Sequence, residues 1–215
     1  MAALPFGIMA LQESHITHLL TVLQAPVTRF DCGTLCAPGN GGVPVCCHAK
    51  SILPVLYRAE LALLQRRTSM WRRHTPTGED AALRSAARPC DVFAVCRGHQ
   101  HCERQHRALA CRTFPFEPYL DHAGRFVGIV FCYDLAHLCP LILGDQAIED
   151  DFVAQCCTMW ERLFAFDDGE RRFYAAASTT LRRRFGRRGE RIPVFTAAGV
   201  VAMSTRRPPR RVPQP

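Results

Sequence analysis

Lysine is almost missing from this chain of 215 residues, in which Lys50 stands against 26 arginines. Such an arginine bias follows from genomic base composition as readily as from selection for charge, so the net +8 does not by itself specify an anionic partner. The charge is also unevenly placed. From Leu181 to Pro215 there are ten arginines and one glutamate, a local +9, which leaves residues 1–180 at −1.

Long apolar runs are missing as well. No stretch approaches the ~18 unbroken apolar residues that a bilayer span needs. The N-terminus MAALPFGIMALQESHITHLL has no Lys or Arg ahead of its apolar part and is broken by Pro5 and Gly7, so it does not read as a signal peptide. The expectation is a cytoplasmic protein with no membrane partner, in which thiols stay reduced. There is no glycine-rich nucleotide loop, no local nucleophile–base pair, no radical-type C-x3-C-x2-C motif and no repeat at a solenoid period. No catalytic residue is therefore assigned.

What is abundant is cysteine. Twelve of them make up about 6% of the chain, short of the ~8–10% of a small disulfide scaffold. At 48% hydrophobic the chain has material for a core of its own. Clustered thiols in a reducing compartment more often bind metal than form bridges.

The periodicity predicts a helix near Met9 to Gln24 and another over Leu53 to His74, with Leu56, Leu61, Leu64 and Trp71 buried. RFVGIVFCY, Arg125 to Tyr133, reads as a strand. A partner around Arg112 to Tyr119 is confined to an edge by Pro115 and Pro118. From Asp145, a plausible N-cap, helical spacing resumes with Ile148, Phe152, Met159 and Leu163 on one side. Residues 181–215, rich in Arg and Pro, read as a disordered tail behind a domain at 1–180. The expected fold is α+β, mostly α-helical and irregular: a small single domain organised by a metal, with at most a short β-sheet.

The stretch Phe30 to Lys50, FDCGTLCAPGNGGVPVCCHAK, holds a C-x3-C pair, Cys32 and Cys36, and a vicinal pair, Cys46 and Cys47. Zinc and iron-sulfur clusters each want about four soft ligands at one point. Gly39, Gly41 and Gly42 permit backbone conformations closed to other residues. Vicinal cysteines point apart on a strand and diverge by about 100° on a helix, so both reach one centre only if the backbone bends or the centre exceeds one ion. That geometry leans toward an iron-sulfur cluster over zinc. A second group holds Cys90, Cys96, Cys102 and Cys111 among His99, His101 and His106, and His48 follows the first. Arg107 and Arg112 flank Cys111, where a guanidinium favours thiolate. Cys156 and Cys157 sit in a helical pattern and read as core.

The order C…C…CC followed by CERQHRALACRTFPF resembles the YkgJ-type cysteine-cluster family, described as a zinc- or iron-chelating domain. Cys32, Cys36, Cys46 and Cys47 match its first four thiols. Cys102, Arg107, Cys111, Arg112, Phe114 and Pro115 match its second part, and CPL at Cys139 is similar to a downstream CPG. The resemblance spans Asp31 to Leu143. Departures are the x3 spacing, nine residues between Cys36 and Cys46 instead of two, Cys102 one residue nearer to the Arg, and Ala108 where the family has Pro. It implies a metal-binding protein holding an iron-sulfur cluster or zinc through Cys32, Cys36, Cys46, Cys47, Cys102 and Cys111. Links of some relatives to protein lysine methylation give an iron-sulfur-dependent methyltransferase-like enzyme as the alternative. A nucleic-acid accessory protein acting through the arginine-rich tail is the other.

Overall fold

The computed structural model describes residues 11–48, 52–78, 81, 88 and 91–206. Among these the helices are α1 (Glu13–Val22), α2 (Gly33–Cys36), α3 (Arg58–Arg67), α4 (Leu109–Thr113), α5 (Pro140–Leu143), α6 (Asp150–Phe166) and α7 (Asp168–Arg187). The strands are β1 (Val55–Tyr57), β2 (Trp71–His74), β3 (Asp91–Cys96), β4 (Phe116–Leu120), β5 (Phe126–Phe131), β6 (Ile192–Thr196) and β7 (Gly199–Met203). They form two antiparallel sheets, ordered β1-β3-β2 and β4-β5-β6-β7. None of the described helices is long and apolar enough to cross a membrane.

The expectation of a mostly helical, irregular, metal-organised chain with at most a short sheet is overturned. Seven strands and three apolar clusters carry the packing of the described residues. The largest cluster sets Ile16, Leu19, Leu20 and Leu23 against Phe152, Cys156, Met159 and Leu163 of α6, over Phe116, Ile129 and Phe131. Burying such side chains stabilises by about 1.5–3 kcal/mol each, so this layer outweighs a single loop. Cys156 and Cys157 belong to it, as their helical spacing predicts. A second cluster joins Leu56, Leu61, Leu64, Met70, Trp71, Val92, Ala94 and Ala108, with Cys96 and Cys111 packed against it.

The expected helix over Leu53 to His74 is instead strand, helix and strand. Leu56 and Trp71 are buried as predicted, but from β1 and β2. Glu60 reaches back to accept the Tyr57 N–H at 3.4 Å and starts α3 there, and Thr68, in extended conformation, ends it. The helix expected from Asp145 begins at Asp150, with acids Asp150 and Asp151 in its first turn where the dipole favours them. The β5 strand lies where it was expected, and β4, with Pro118, is the edge of its sheet. Gly128 in β5 is demanded by packing: a Cβ there would sit 2.2 Å from the Phe195 carbonyl oxygen on β6.

The disordered tail from Leu181 is corrected up to Arg206. Residue 181 falls inside α7, whose N-cap Asp167 accepts the Gly169 N–H at 2.8 Å. Leu181 and Phe185, one helical turn apart, pack with Ile192, Val194, Tyr119 and Val130 into the third cluster. The Arg run had hidden this apolar stripe. Residues 207–215 lie outside the described residues.

Glu117 on β4 is a half-buried carboxyl whose desolvation, with Asp134 nearby, pushes it up to about 7 from 4.5. The folded state thus binds this proton more tightly than the unfolded one. Its contribution to stability is complete below about pH 4.5 and is lost as pH rises through about 7. Glu117→Gln should therefore gain on the wild type by on the order of 1–3 kcal/mol between those limits and stay level above them. Urea unfolding at a series of pH values measures this, and a difference independent of pH would show the carboxyl to be solvated.

Candidate metal centre

The loop 31–48 is knitted locally. Asp31 accepts the Gly33 N–H at 3.0 Å, α2 follows, and Asn40 donates to the Val43 carbonyl at 2.8 Å. Gly41 and Gly42 have φ of 63° and 81°, so the turn there uses the left-handed region. Gly33 meets a different demand, since a Cβ there would lie 2.9 Å from Pro44 Cγ. This close approach brings the two halves of the loop together, and the Val45 N–H donates to Cys36 Sγ at 3.4 Å.

Val45–Cys47 forms a single 3-10 turn behind Pro44. The bend answers the problem of the vicinal pair, because it puts Cys46 Sγ and Cys47 Sγ on the same side at 3.9 Å. Two thiolates bound at ~2.3 Å to one tetrahedral ion lie about 3.8 Å apart. The sequence argument for a centre larger than one ion thus loses its premise.

A second wall faces this pair. Cys96 ends β3, Cys102 follows a 3-10 turn over His99–His101, and Cys111 sits in α4. Arg107 stands between them and donates through Nε to Cys102 Sγ at 3.2 Å. The hydrogen bond from the Cys46 thiol holds Cys47 down to about 7, against desolvation and with help from Arg107. That same bond and burial push Cys46 up. Burial raises Cys111 too, reinforced by Cys47, Cys96 and Cys102 around it. The arrangement favours the thiolate at Cys47 and the protonated thiol at Cys46 and Cys111.

A cavity of about 70 Å³ lies beside this group, lined by Cys32, Cys36, Cys46, Cys111 and Cys139 among others. Phe114 and Pro115 form part of its apolar wall. Cys139 feels Cys32 and Cys36, and burial raises it to about 11. The six cysteines singled out from sequence thus share one neighbourhood, and Cys96 and Cys139 join it. Cys132 interacts with Glu117, Asp134 and Cys139 instead. Cys90 lies outside the described residues, and the described cysteines are all free. His106 Nδ1 is buried with no hydrogen-bond partner, while its Nε2 is 3.5 Å from Glu103.

Arg112 does not face the thiols as expected from its position next to Cys111. Its guanidinium, buried, donates to the carbonyls of Leu20 (3.0 Å) and Leu23 (2.9 Å) at the end of α1 and of Gln105 (2.9 Å) and Arg107 (3.0 Å). Arg104 adds bonds to the Gln24 carbonyl at 2.8 and 3.0 Å. A helix C-terminus presents orphan carbonyls and partial negative charge, which these cations satisfy. Nothing in the spacing of RALACR could distinguish this role from thiolate pairing.

The donor chemistry suits a soft metal, and the convergence is incomplete. Among the described residues no three His, Cys, Asp or Glu side chains already stand close enough to hold one ion. Compared with protein-family models, curated proteins and solved structures, the chain finds no match. The resemblance to the YkgJ-type family therefore rests on its motif residues alone.

Arg112→Met should destabilise the fold by about 2–4 kcal/mol, because four backbone carbonyls lose their buried donor. Equilibrium urea unfolding reads this directly. A loss under ~0.5 kcal/mol would mean that water replaces the guanidinium.

Proposed function

We propose that this protein binds a transition metal at the thiol group around Arg107, with Cys46 and Cys47 as the paired anchors and Cys32, Cys36, Cys102 and Cys111 as the further donors. The observation that carries the reading is the 3.9 Å separation of the two vicinal sulfurs, produced by a 3-10 turn in a loop whose other thiols face the same space. It favours a single tetrahedral ion, for which zinc is the ordinary occupant of an all-thiolate site. An iron-sulfur cluster is the second reading, supported by the spread of donors from Cys32 and Cys139 on one side of the group to Cys96 and Cys102 on the other.

The chain's own residues divide the work. Loop 31–48 presents the anchors, and α4 and the segment 99–107 present the facing donors. Arg107 offsets part of the negative charge that thiolates bring into a half-buried site. Bringing four sulfurs to one point requires rotations about χ1, which cysteine makes among its staggered wells. A bound dication would supply the positive charge that deprotonates the remaining thiols.

Because apolar clusters carry the fold, metal loss should be separable from unfolding. Anaerobically purified protein should contain stoichiometric zinc, or iron with sulfide and absorption near ~400 nm. Cys46→Ser/Cys47→Ser should lose that metal and keep its far-UV circular dichroism. Unchanged metal content in the double variant, or no metal in either protein, overturns the proposal.

A further inference from the structure

Away from the thiols, α7 and the β6–β7 hairpin enclose a cleft of about 1200 Å³. Its lining is dominated by guanidinium and hydroxyl groups, with Glu190 the one acid in it. We infer that this cleft binds the phosphodiester backbone of a nucleic acid, without reading sequence.

The arginines around it divide into supports and free cations. Arg182 is buried: it donates to the Leu120 carbonyl and to Thr179 Oγ1, and lies over the Tyr119 ring. Arg191 donates to the Ala202 carbonyl at 2.6 and 2.9 Å and so fastens β6 to β7. Arg183, Arg187 and Arg206 are exposed and, among the described residues, form no ion pair. Neighbouring Arg184 and Arg188 reach Asp134 and Glu190, so acids are within range of this helix but not of those three. Arg183 and Arg187, at i and i+4 on one face of α7, repel each other, and an anion placed between them removes that cost.

The remaining groups fit phosphate oxygens. Thr205 approaches the chain at Gly186, where no side chain intervenes, and Ser204 stands beside it, while the Thr180 hydroxyl already donates to the Ala176 carbonyl. His122 also lines the cleft, and its buried Nε2 has no hydrogen-bond partner. Hydroxyls, arginines and a free imidazole are the donors that contact nucleic-acid backbones. No Phe, Tyr or Trp ring lines the space, so it lacks the usual platform for stacking successive bases. No large apolar side chain lines it either, so it lacks what a membrane surface would bury. Three arginines free of ion pairs among the described residues outnumber the charges of a single phosphate group. Duplex DNA offers one charge per ~1.7 Å and suits such a set.

The test is fluorescence anisotropy with the full chain and a labelled duplex of about 20 base pairs, titrated between about 50 and about 200 mM salt. The wild type should bind, with log K falling linearly with log salt. Arg183→Glu/Arg187→Glu/Arg206→Glu should weaken binding at least ~10-fold and reduce the slope by about 2–3, since each lost phosphate contact accounts for ~0.9. The matching triple Lys variant should keep most of the affinity. Melting temperature should not change in either. If the triple Glu variant fails to fold, Arg183→Glu alone should give a smaller loss in the same direction. Inorganic phosphate at millimolar concentration and anionic vesicles serve as competing probes. The inference is overturned by unaltered binding in the Glu variants, by binding that disappears only when 207–215 are deleted, or by no duplex binding at all. It is equally overturned if inorganic phosphate or vesicles bind through these arginines in preference to the duplex.

Discussion

The described architecture depends on the buried guanidinium of Arg112. Its four carbonyl partners come from two places distant in sequence: the end of α1 at Leu20 and Leu23, and the turn at Gln105 and Arg107. One planar cation therefore fixes where α1 stops and where the segment bearing Cys102 and Cys111 begins. Arg104 seals the same helix end at Gln24. Burial, with Arg104 and Arg107 nearby, disfavours the positive charge on Arg112, and Glu60 opposes that. Arginine nevertheless stays protonated, so the charge must be answered by what surrounds it.

That answer links the helix cap to the thiols. Three guanidiniums, at 104, 107 and 112, crowd one side of the cysteine group, and desolvation makes them costly without anions. Glu60 is a weak contributor, because burial raises it to about 7 even though it accepts the Leu109 N–H at 2.6 Å. Arg107, which donates to Cys102 Sγ, also favours the thiolate form of Cys47 and so has these thiols to answer its charge. The same positive field lowers the cost of gathering further thiolates in this half-buried group.

How much of this could be seen in the sequence follows from which forces act locally. The grouping of Cys32, Cys36, Cys46 and Cys47 was legible because loop residues and short spacings restrict where thiols can go, whereas the nearness of Cys102 and Cys111 was an expectation from the motif resemblance that no spacing could supply. Leu56, Leu61, Leu64 and Trp71 were legible as buried residues, since hydrophobicity is sensed whatever the backbone does. The helix that carries Leu61 and Leu64 was legible too, but the strands of Leu56 and Trp71 were not, because alternation and helical periodicity coincide over short runs such as VLY and WRRH, and tertiary pairing with β3 decided the matter. The inclusion of Cys96 depended on β3 ending beside the loop, a contact of sheet topology. The orientation of Arg112 depended on α1, some ninety residues earlier in the chain.

Arginine shows most sharply why composition misleads here. Ten arginines after residue 180 suggested an unfolded polycation, yet Arg182 is buried and bonded to the end of β4, where the Leu120 N–H meets Ser178 Oγ at 3.0 Å and its carbonyl meets the guanidinium. It does for a strand end what Arg112 does for a helix end: both answer orphan carbonyls that water cannot reach. Such residues contribute nothing to an external field beyond their formal charge at depth. Among the described residues after 180, the arginines whose donors the fold leaves unused are at 183, 187 and 206. Charge that recruits an anion is thus found by subtracting hydrogen bonds from arginines, a count that only the folded chain allows.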